Sequence, residues 1–310
     1  MAIVAVAGGT GDVGRTIVEA LLETGKHTVF VLGRKASTTS GPNDVKSLVV
    51  DYNNIDGLTK VLDDNSIDTI ISAIQMEGPG VQAQANLIVA AGKSSKAKRF
   101  IPSEYSGFAP DEAEDVAGDE FTAAQKDAIK AVKKAGLTYT RFVNGLFMDY
   151  FGQPHVPSHL RPFKWVFDMA TRRVAIPGTG DELITMTYSK DMARFVARLV
   201  EEDEWPEYSL VSGSDASLNQ VVALIEKALG SKLDVARDSA EDLKAGKVTD
   251  LFGGEEMYGG LDTATTAIFL GLAVVEGKAL LPKEGRLNDR FPNIKVKSIE
   301  ELTAEAWIGK

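Results

Sequence analysis

The residues best suited to chemistry stand at the start of the chain, where an apolar run leads into spaced glycines. Residues 2–7 have the pattern of a buried strand, and Gly8, Gly11 and Gly14 follow at every third position. Glycines at a strand-to-helix turn allow close backbone approach, and the NH groups of the helix's first turn point at an anion. The pattern predicts a cradle for the pyrophosphate of a dinucleotide, formed by Gly8, Thr10, Gly11, Asp12, Val13 and Gly14.

The glycine spacing differs from the common G-x-G-x-x-G fingerprint, so its context decides the interpretation. Ile17, Leu21 and Leu22 recur at helical spacing after Gly14, which places strand, turn and helix in the required order. The alternative is an ordinary glycine-rich turn that closes a strand–helix unit. The order of the elements favours the nucleotide site.

A cation stands where enzymes that use NAD(H) carry an acidic residue. Arg34, followed by Lys35, comes twenty residues after Gly14, at the end of the second predicted strand. A carboxylate there would repel a ribose phosphate, whereas a guanidinium forms paired, charge-assisted hydrogen bonds with it. The residue type therefore predicts NADP(H) as the cofactor, and the alternative is a solvated pair of loop charges.

Length and composition describe a folded, acidic protein. The 310 residues are 44% hydrophobic and 25% charged, which is typical of globular proteins and of neither disordered nor membrane-spanning chains. A formal net charge of -10 argues against a nucleic-acid partner, and the lack of cysteine excludes disulfides, thiolate metal sites and a cysteine nucleophile. The apolar start runs into the glycine turn and has no signal-peptide pattern, so we expect a cytoplasmic protein without membrane attachment.

Predicted strands and helices alternate through the first half of the chain. Further strands are predicted at 27–32, 47–50, 68–72, 99–102 and 138–143, and helices at 12–24, 55–63, 80–92 and 119–135. This alternation is typical of an α/β fold with a doubly wound parallel sheet and helices on both faces. In such sheets ligands bind at the carboxyl ends of the strands, where the strand order reverses.

The rhythm changes beyond residue 150, where prolines interrupt it and aromatic residues accumulate. We predict a cofactor-binding domain over 1–151, with its sheet completed by residues 185–212, and a smaller, mainly helical substrate-binding lobe over 152–184 and 213–310. Seven aromatic residues between 142 and 167 suggest an apolar wall for a flat or aromatic substrate. Plain core packing is the alternative for each of them.

Several motifs together resemble one protein family. They are Gly8 to Gly14, Arg34, Ser72-Ala73-Ile74, the run from Arg99 to Tyr105, Lys126, and the run from Asn144 to Phe151. The chain resembles atypical short-chain dehydrogenases/reductases, the group of isoflavone reductase-like and NmrA-like proteins. The resemblance implies a Rossmann-type fold, hydride transfer from NADPH to a small acceptor, and Lys126 beside the nicotinamide as proton donor or electrostatic stabiliser.

Lys126 also has a simpler interpretation. The chain contains no Tyr-x-x-x-Lys pair, and a lysine can stabilise charge on oxygen and supply a proton by itself. On a helical wheel, however, Lys126 lies with Lys130 and Lys133, opposite Ala128 and Val132, which suggests a solvated basic face. The two interpretations remain open at the level of sequence.

Further candidates follow predicted strand ends or match family positions. For cofactor binding they are Asp51, Ser72, Ala73, Ile74, Gln84, Ser103, Lys126, Asn144 and Phe147. For substrate binding they are Tyr105, Tyr150, Phe151 and Trp165. Asp51 and Ser103 are also suited to capping turns, and Asn144 and Phe147 to packing. His155 and His159 are separated by Pro157 and lack a third ligand, so no metal site is predicted.

The leading hypothesis is an NADPH-dependent reductase of a small, aromatic or polyketide-like ketone, enone or related acceptor. The alternative is an NmrA-like sensor that binds NADP(H) without turnover and acts through a protein partner. An isomerase or dehydratase that uses bound nicotinamide transiently, or only as a scaffold, is a third possibility.

Overall fold

The computed structural model of the protein describes residues 1–35, 45–106, 120–256 and 262–310. These residues divide into two compact units. The first lies within Met1–Tyr105, Ala109–Val143 and Met192–Ser209, and the second within Ser106–Phe108, Asn144–Asp191 and Leu210–Lys310. No helix in the described ranges is long and apolar enough to cross a membrane.

The secondary structure follows the predicted alternation through the first unit. The strands are β1 (Ile3–Ala7), β2 (Thr28–Gly33), β3 (Lys46–Val49), β4 (Thr69–Ser72), β5 (Arg99–Ile101), β6 (Thr138–Tyr139), β7 (Arg141–Val143), β8 (Leu146–Phe147), β9 (Phe167–Asp168), β10 (Arg173–Pro177), β11 (Leu183–Thr187), β12 (Tyr208–Leu210), β13 (Ser214–Ser217) and β14 (Asp234–Asp238). The α-helices are α1 (Asp12–Glu23), α2 (Ile55–Asp64), α3 (Pro79–Lys93), α4 (Glu120–Lys134), α5 (Ser189–Val200), α6 (Leu218–Leu229), α7 (Ala240–Lys244), α8 (Thr263–Val275), α9 (Leu287–Arg290) and α10 (Ile299–Trp307). A 3₁₀ helix spans Met148–Phe151. Residue 119, the predicted start of α4, lies outside the described residues.

A six-stranded parallel sheet forms the centre of the first unit. Its order is β3-β2-β1-β4-β5-β6, with β1 paired to both β2 and β4. This is the strand order of dinucleotide-binding domains, and it reverses between β1 and β4. The predicted doubly wound, Rossmann-type fold is therefore confirmed, and its ligand crevice is expected at the carboxyl ends of these two strands.

The apolar sequence of β1 is explained by burial on both faces of the sheet. Ala5 and Ala7 belong to a buried cluster with apolar residues of α2, α3 and α4. Val4 and Val6, which point to the opposite face, are fully buried as well. A strand covered on both sides reads as a continuous apolar run, which is the reason that the sequence located it.

The sixth predicted strand, 138–143, is two strands in the structure. Only β6 pairs with β5, whereas β7 pairs with β12. Between them, Thr140 Oγ1 lies 2.7 Å from Ser209 Oγ, and the Arg141 amide donates to Glu207 O. The pairing with β12 draws the backbone away from the central sheet after Tyr139. Residues 185–212, expected to complete the six-stranded sheet, instead contribute β11 to a sheet with β8 and β13, and β12 to the pair with β7.

The second unit contains more strand than the predicted mainly helical lobe. β13 pairs antiparallel with β11, and β14 pairs parallel with β10. Both strands are short and partly polar in sequence, so they lack the apolar pattern that marks a strand. Their sheets share one buried cluster with apolar residues of α6 and α10, including Leu218, Ile225 and Leu302.

A half-buried carboxylate in the second unit, that of Asp215, carries a pH-dependent part of the protein's stability. Arg286 donates to both oxygens of Asp215, at 2.9 and 3.2 Å, and Thr185 and Ser212 donate to Oδ1 at 2.7 and 3.1 Å. Burial by itself would raise the pKa of Asp215, but these hydrogen bonds outweigh it and lower the pKa. A depressed pKa in the folded state stabilises the protein above the unfolded pKa, and this stabilisation is lost as pH falls through the folded pKa.

Replacing Asp215 with asparagine is expected to reduce the unfolding free energy by about 1.5–3 kcal/mol near pH 7, the contribution of hydrogen bonds to a charged group. The difference from wild type should shrink as pH falls from about 4, the usual aspartate pKa. Urea unfolding at several pH values measures it. Asp234→Asn, an exposed residue of β14, is the control. A difference that stays constant down to pH 3 would contradict this account.

Candidate functional site

The turn between β1 and α1 forms a tight cradle that only glycine allows. Gly8 has φ +76°, and a Cβ on it would lie 2.6 Å from Ala73 O, the residue after β4. A Cβ on Gly14 would lie 2.2 Å from Gly8 O. The turn is closed by a hydrogen bond from Gly11 N to Gly8 O at 2.9 Å. The predicted glycine positions are therefore required by direct backbone packing at the point where the strand order reverses.

The amino end of α1 lies at the same turn. Gly11 is its N-cap and supplies no side-chain hydrogen bond to the first-turn NH groups. Those NH groups carry the positive end of the helix dipole. The residues around them, Thr10, Asp12 and Val13, are exposed or half-buried. A helix end of this kind is suited to an anionic group.

The end of β2 adds positive charge to this edge of the sheet. Arg34 and Lys35 follow β2 and are both exposed. Burial raises the pKa of the Tyr52 hydroxyl, and the nearby positive charge of Arg34 opposes the rise. Tyr52 Oη donates to Leu32 O at 3.2 Å, which holds the ring beneath the end of the strand. Asp51 accepts a hydrogen bond from Asn53 N at 2.9 Å and so caps the turn after β3.

Buried polar atoms without partners collect at the ends of β4 and β5. Ser72 is fully buried, and among the described residues its Oγ has no hydrogen-bond partner. Gln84 on α3 accepts from Ser103 N through Oε1 at 2.9 Å. Because a backbone NH can only donate, this contact fixes the amide orientation and leaves the buried Nε2 without a partner in the described part of the chain. Ala73 and Ile74 continue from β4, and Ala73 N donates to Ala7 O at 2.8 Å.

Glu104, which follows β5, forms a buried ion pair with Arg141 of β7. Arg141 Nε donates to Glu104 Oε2 at 2.8 Å, and both side chains are almost fully buried. Arg141 also donates to the Tyr208 hydroxyl at 2.9 Å and lies over its ring. The sequence did not single out Arg141 or Tyr208. Arg141 could have been found as a charged residue inside an otherwise apolar strand, because a charged side chain is rarely buried without a partner.

Lys126 is buried in the structure, so the solvated position that the helical wheel suggests does not hold for it. Its exposure is only 9%, whereas Lys130, one helical turn away, is exposed. The wheel-based expectation of a solvated face is therefore wrong for Lys126, because α4 also buries Gln125 and Ile129 beside it. A buried lysine on the helix that follows β5 is a candidate for chemistry.

These features together fit a phosphorylated dinucleotide. The cradle and helix end suit a diphosphate, Arg34 suits a further phosphate, and the partnerless atoms of Ser72 and Gln84 suit hydrogen-bonding groups. The model of one known family matches residues 2–259 of the chain. The chain belongs to the NmrA-like family. The resemblance inferred from its motifs is thereby confirmed.

Relatives of this NmrA-like protein match it over most of its length. Oxidoreductase swnN of Metarhizium robertsii is 32% identical over 347 aligned residues, covering 100% of this chain and 98% of the relative. Oxidoreductase BOA1 of Botryotinia fuckeliana is 38% identical and covers 77% of this chain and 80% of its own length. Isoflavone reductase homolog P3 of Arabidopsis thaliana is 28% identical over 77% of this chain and 78% of that protein.

Solved structures share the fold of this NmrA-like chain. The binary complex of leucoanthocyanidin reductase and NADPH from Vitis vinifera has a TM-score of 0.75 at 18% identity, over 97% of this chain and 98% of that one. AtPrR2 with NADP+ and (+)pinoresinol has a TM-score of 0.72 at 20% identity and covers 98% of each chain.

Tyr105 follows β5 in the first unit, and the remaining predicted site residues lie in the second unit of the NmrA-like protein. Asn144 is fully buried, donates to Gly145 O, and has no partner for Oδ1 among the described residues. Phe147 contacts Tyr150 edge-on, with ring centroids 6.2 Å apart. Phe151 and Trp165 are buried in the core of this unit. The contacts predicted for these residues with cofactor or substrate remain predictions.

Asp149 is a buried acid that the sequence analysis did not single out. It accepts hydrogen bonds from Ser158 Oγ, Ser189 Oγ and Ser189 N, at 2.6, 2.6 and 2.8 Å. Burial raises the pKa of Asp149 in spite of these bonds. The carboxyl group ties the aromatic 3₁₀ helix to the start of α5 within the second unit, and this supports the position of Tyr150.

The described residues contain no group of three histidine, cysteine, aspartate or glutamate side chains able to hold a metal ion. His155 packs edge-on against the ring of Trp307, at 5.0 Å between centroids. Its place in the second unit is thus explained by packing.

Proposed function

We propose that this NmrA-like protein is an NADPH-dependent reductase that transfers a hydride to a small, aromatic or polyketide-like acceptor such as a ketone or enone. The observation that carries the proposal is the Gly8–Gly14 cradle with Arg34 at the end of the adjacent strand β2. The oxidoreductase class agrees with the names of its fungal relatives.

The residues of the cradle would hold the cofactor by its phosphates. The NH groups at the start of α1 would bind the diphosphate, and the guanidinium of Arg34, with Lys35 beside it, would bind the ribose phosphate. Gln84 Nε2 and Ser72 Oγ, which have no partner within the described ranges, would bind polar groups further along the same edge. NADPH, when bound, supplies the hydride.

Lys126 would act on the acceptor oxygen. Hydride addition to a carbonyl carbon leaves negative charge on oxygen, and an ammonium group at hydrogen-bonding distance stabilises that charge and donates the proton. The burial of Lys126 supports this role, because electrostatic interactions strengthen where water is excluded.

Aromatic side chains of the second unit support the choice of substrate. Tyr150 and Phe163 stack with centroids 5.0 Å apart and an interplanar angle of 28°, and both are half-buried. Such a surface binds flat, apolar molecules well. The pinoresinol named in the AtPrR2 complex is a ligand of that protein, and it agrees with an aromatic substrate here.

Replacing Arg34 with alanine tests the cofactor assignment. NADPH affinity is expected to fall about 10- to 100-fold, the loss of about 1.5–3 kcal/mol in charge-assisted hydrogen bonds, while NADH affinity stays within about twofold. Fluorescence titration with NADPH and with NADH measures the two dissociation constants. Lys60→Ala removes an equal charge from the exposed side of α2 and should change neither affinity. Equal losses for both nucleotides would refute the role of Arg34.

Turnover is tested by following NADPH oxidation with a panel of aryl ketones, enones and quinones. Oxidation that depends on one acceptor class supports the reductase. Tight NADPH binding with no oxidation across the panel would instead favour a nucleotide sensor, and a lack of NADPH binding would overturn both functions.

A further inference from the structure

The Tyr105 hydroxyl is a buried polar group that follows β5, at the edge of the sheet where the ligand is predicted to bind. Tyr105 follows β5 by four residues, and its ring is half-buried while its hydroxyl oxygen is shielded from solvent. Among the described residues no atom pairs with this hydroxyl. A buried polar group that lacks a hydrogen bond destabilises a folded protein, so each one needs an explanation.

The residues after β5 are held on two sides. Gln84 on α3 accepts the NH of Ser103 at 2.9 Å. From β7, Arg141 holds the Glu104 carboxylate at 2.8 Å, and Arg141 is itself held by Tyr208. Consecutive residues anchored by different elements define the backbone that carries Tyr105. Its side chain therefore starts from a fixed position, as a group that takes part in chemistry requires.

The ring of Tyr105 is also restrained. It packs against the fully buried Phe142 of β7, with centroids 6.3 Å apart and an interplanar angle of 43°. Burial first, and the charge of Glu104 second, raise the pKa of Tyr105. The phenol therefore stays protonated at neutral pH and offers an O–H donor.

We propose that Tyr105 is a catalytic residue whose hydroxyl donates a hydrogen bond to the acceptor oxygen that becomes negative during hydride transfer. The inference rests on the proposed function. When the hydride forms the new C–H bond, the carbonyl π pair moves to oxygen, and Tyr105 stabilises the resulting alkoxide through its O–H. The proton that completes the alcohol comes from the Lys126 ammonium, which regains one from water. NADPH is oxidised to NADP+ and the carbonyl is reduced.

A neutral donor from Tyr105 and a cationic one from Lys126, acting on the same oxygen, would form an oxyanion site. Removing one donor from such a site typically lowers kcat by about 10²- to 10³-fold. A donor that stabilises mainly the charge formed in the transition state has a much smaller effect on the binding of the substrate. Loss of the Tyr105 hydroxyl should therefore appear in kcat, with the Kd for NADPH and the KM for the acceptor nearly unchanged.

The test is Tyr105→Phe, with Tyr139→Phe as the matched control on β6, where the hydroxyl instead bonds Glu207. Using an acceptor that the wild type reduces, we expect kcat of Tyr105→Phe to fall about 10²-fold. We expect the Kd for NADPH to stay within about twofold, and the thermal midpoint to be equal or higher because an unpaired buried hydroxyl is removed. Tyr139→Phe should retain wild-type kcat.

The alternative outcomes are distinguishable. If Tyr105→Phe keeps wild-type kcat with the same acceptor, the catalytic role is refuted while the reductase stands. If the thermal midpoint falls together with kcat and NADPH affinity, the hydroxyl has a structural role and the proposal is overturned. If the wild type binds NADPH but reduces no acceptor, the proposed function fails and this inference fails with it.

Discussion

Replacing Lys126 with methionine is expected to lower kcat for NADPH oxidation by about 10²- to 10⁴-fold, the usual contribution of a positioned proton donor. Methionine keeps most of the buried alkyl stem but removes the ammonium group that would face the acceptor oxygen. NADPH affinity should change little, because the proposed contacts to the phosphates, which dominate nucleotide binding, are those of the cradle and Arg34. Steady-state kinetics with fluorescence titration of NADPH separates the two effects.

The control for this prediction is Lys130→Met, on the same helix. Lys130 is exposed and forms a surface ion pair with Asp127 at 2.9 Å, so its loss should leave kcat within about twofold of wild type. Undiminished turnover in Lys126→Met, with NADPH binding intact, would remove Lys126 from the mechanism. Loss of turnover in both variants would indicate a general effect on α4.

Replacing Gly14 with alanine is expected to abolish tight NADPH binding. The added methyl group would lie 2.2 Å from Gly8 O, so either α1 or the glycine turn must move. Displacement of the helix end removes charge-assisted contacts to phosphate, each contributing about 1.5–3 kcal/mol, so affinity should fall by about 10²-fold or more. Overpacking of this kind should also cost about 1–3 kcal/mol of unfolding free energy.

Gly25→Ala is the control for the cradle variant. Gly25 follows the other end of α1 with φ +63°, and a Cβ there would have no neighbour within 4 Å. The variant bears the backbone strain of a left-handed residue, about 1–2 kcal/mol, without disturbing the turn. Urea unfolding and NADPH titration of both variants distinguish lost stability from lost binding. If Gly14→Ala binds NADPH as Gly25→Ala does, the cradle is not the phosphate site.

The strands and helices of the first unit were predictable because their signals are local. β1 is a continuous apolar run that is buried from Val4 to Ala7, and α1 repeats apolar residues at helical spacing. The turn between them requires glycine, because a Cβ on Gly8 would collide with Ala73 O and a Cβ on Gly14 with Gly8 O. The position of Arg34 was predictable from its distance of twenty residues from Gly14, and in the structure it stands directly after β2. Sequence alone was sufficient to predict the family and the class of ligand.

Contacts between distant segments were not predictable in the same way. The break after Tyr139 arises because β7 pairs with β12, some seventy positions later in the chain. The burial of Lys126 depends on which parts of the protein pack against α4, and a helical wheel gives no information about them. The same holds for Arg141, whose partners Glu104 and Tyr208 come from two other segments.

The α/β alternation, the glycine turn and the basic residue after β2 follow from the amino-acid sequence, because each depends on residue type and short spacing. The folded chain was needed to show which polar groups are buried together and which, such as Gln84 Nε2 and the Tyr105 hydroxyl, have no partner in the described part of the chain. Burial and hydrogen bonding differ from the local patterns because they arise between groups that come from distant parts of the chain. Local periodicity shows which face of an element is apolar, but the partner that covers it is selected only when the chain has folded.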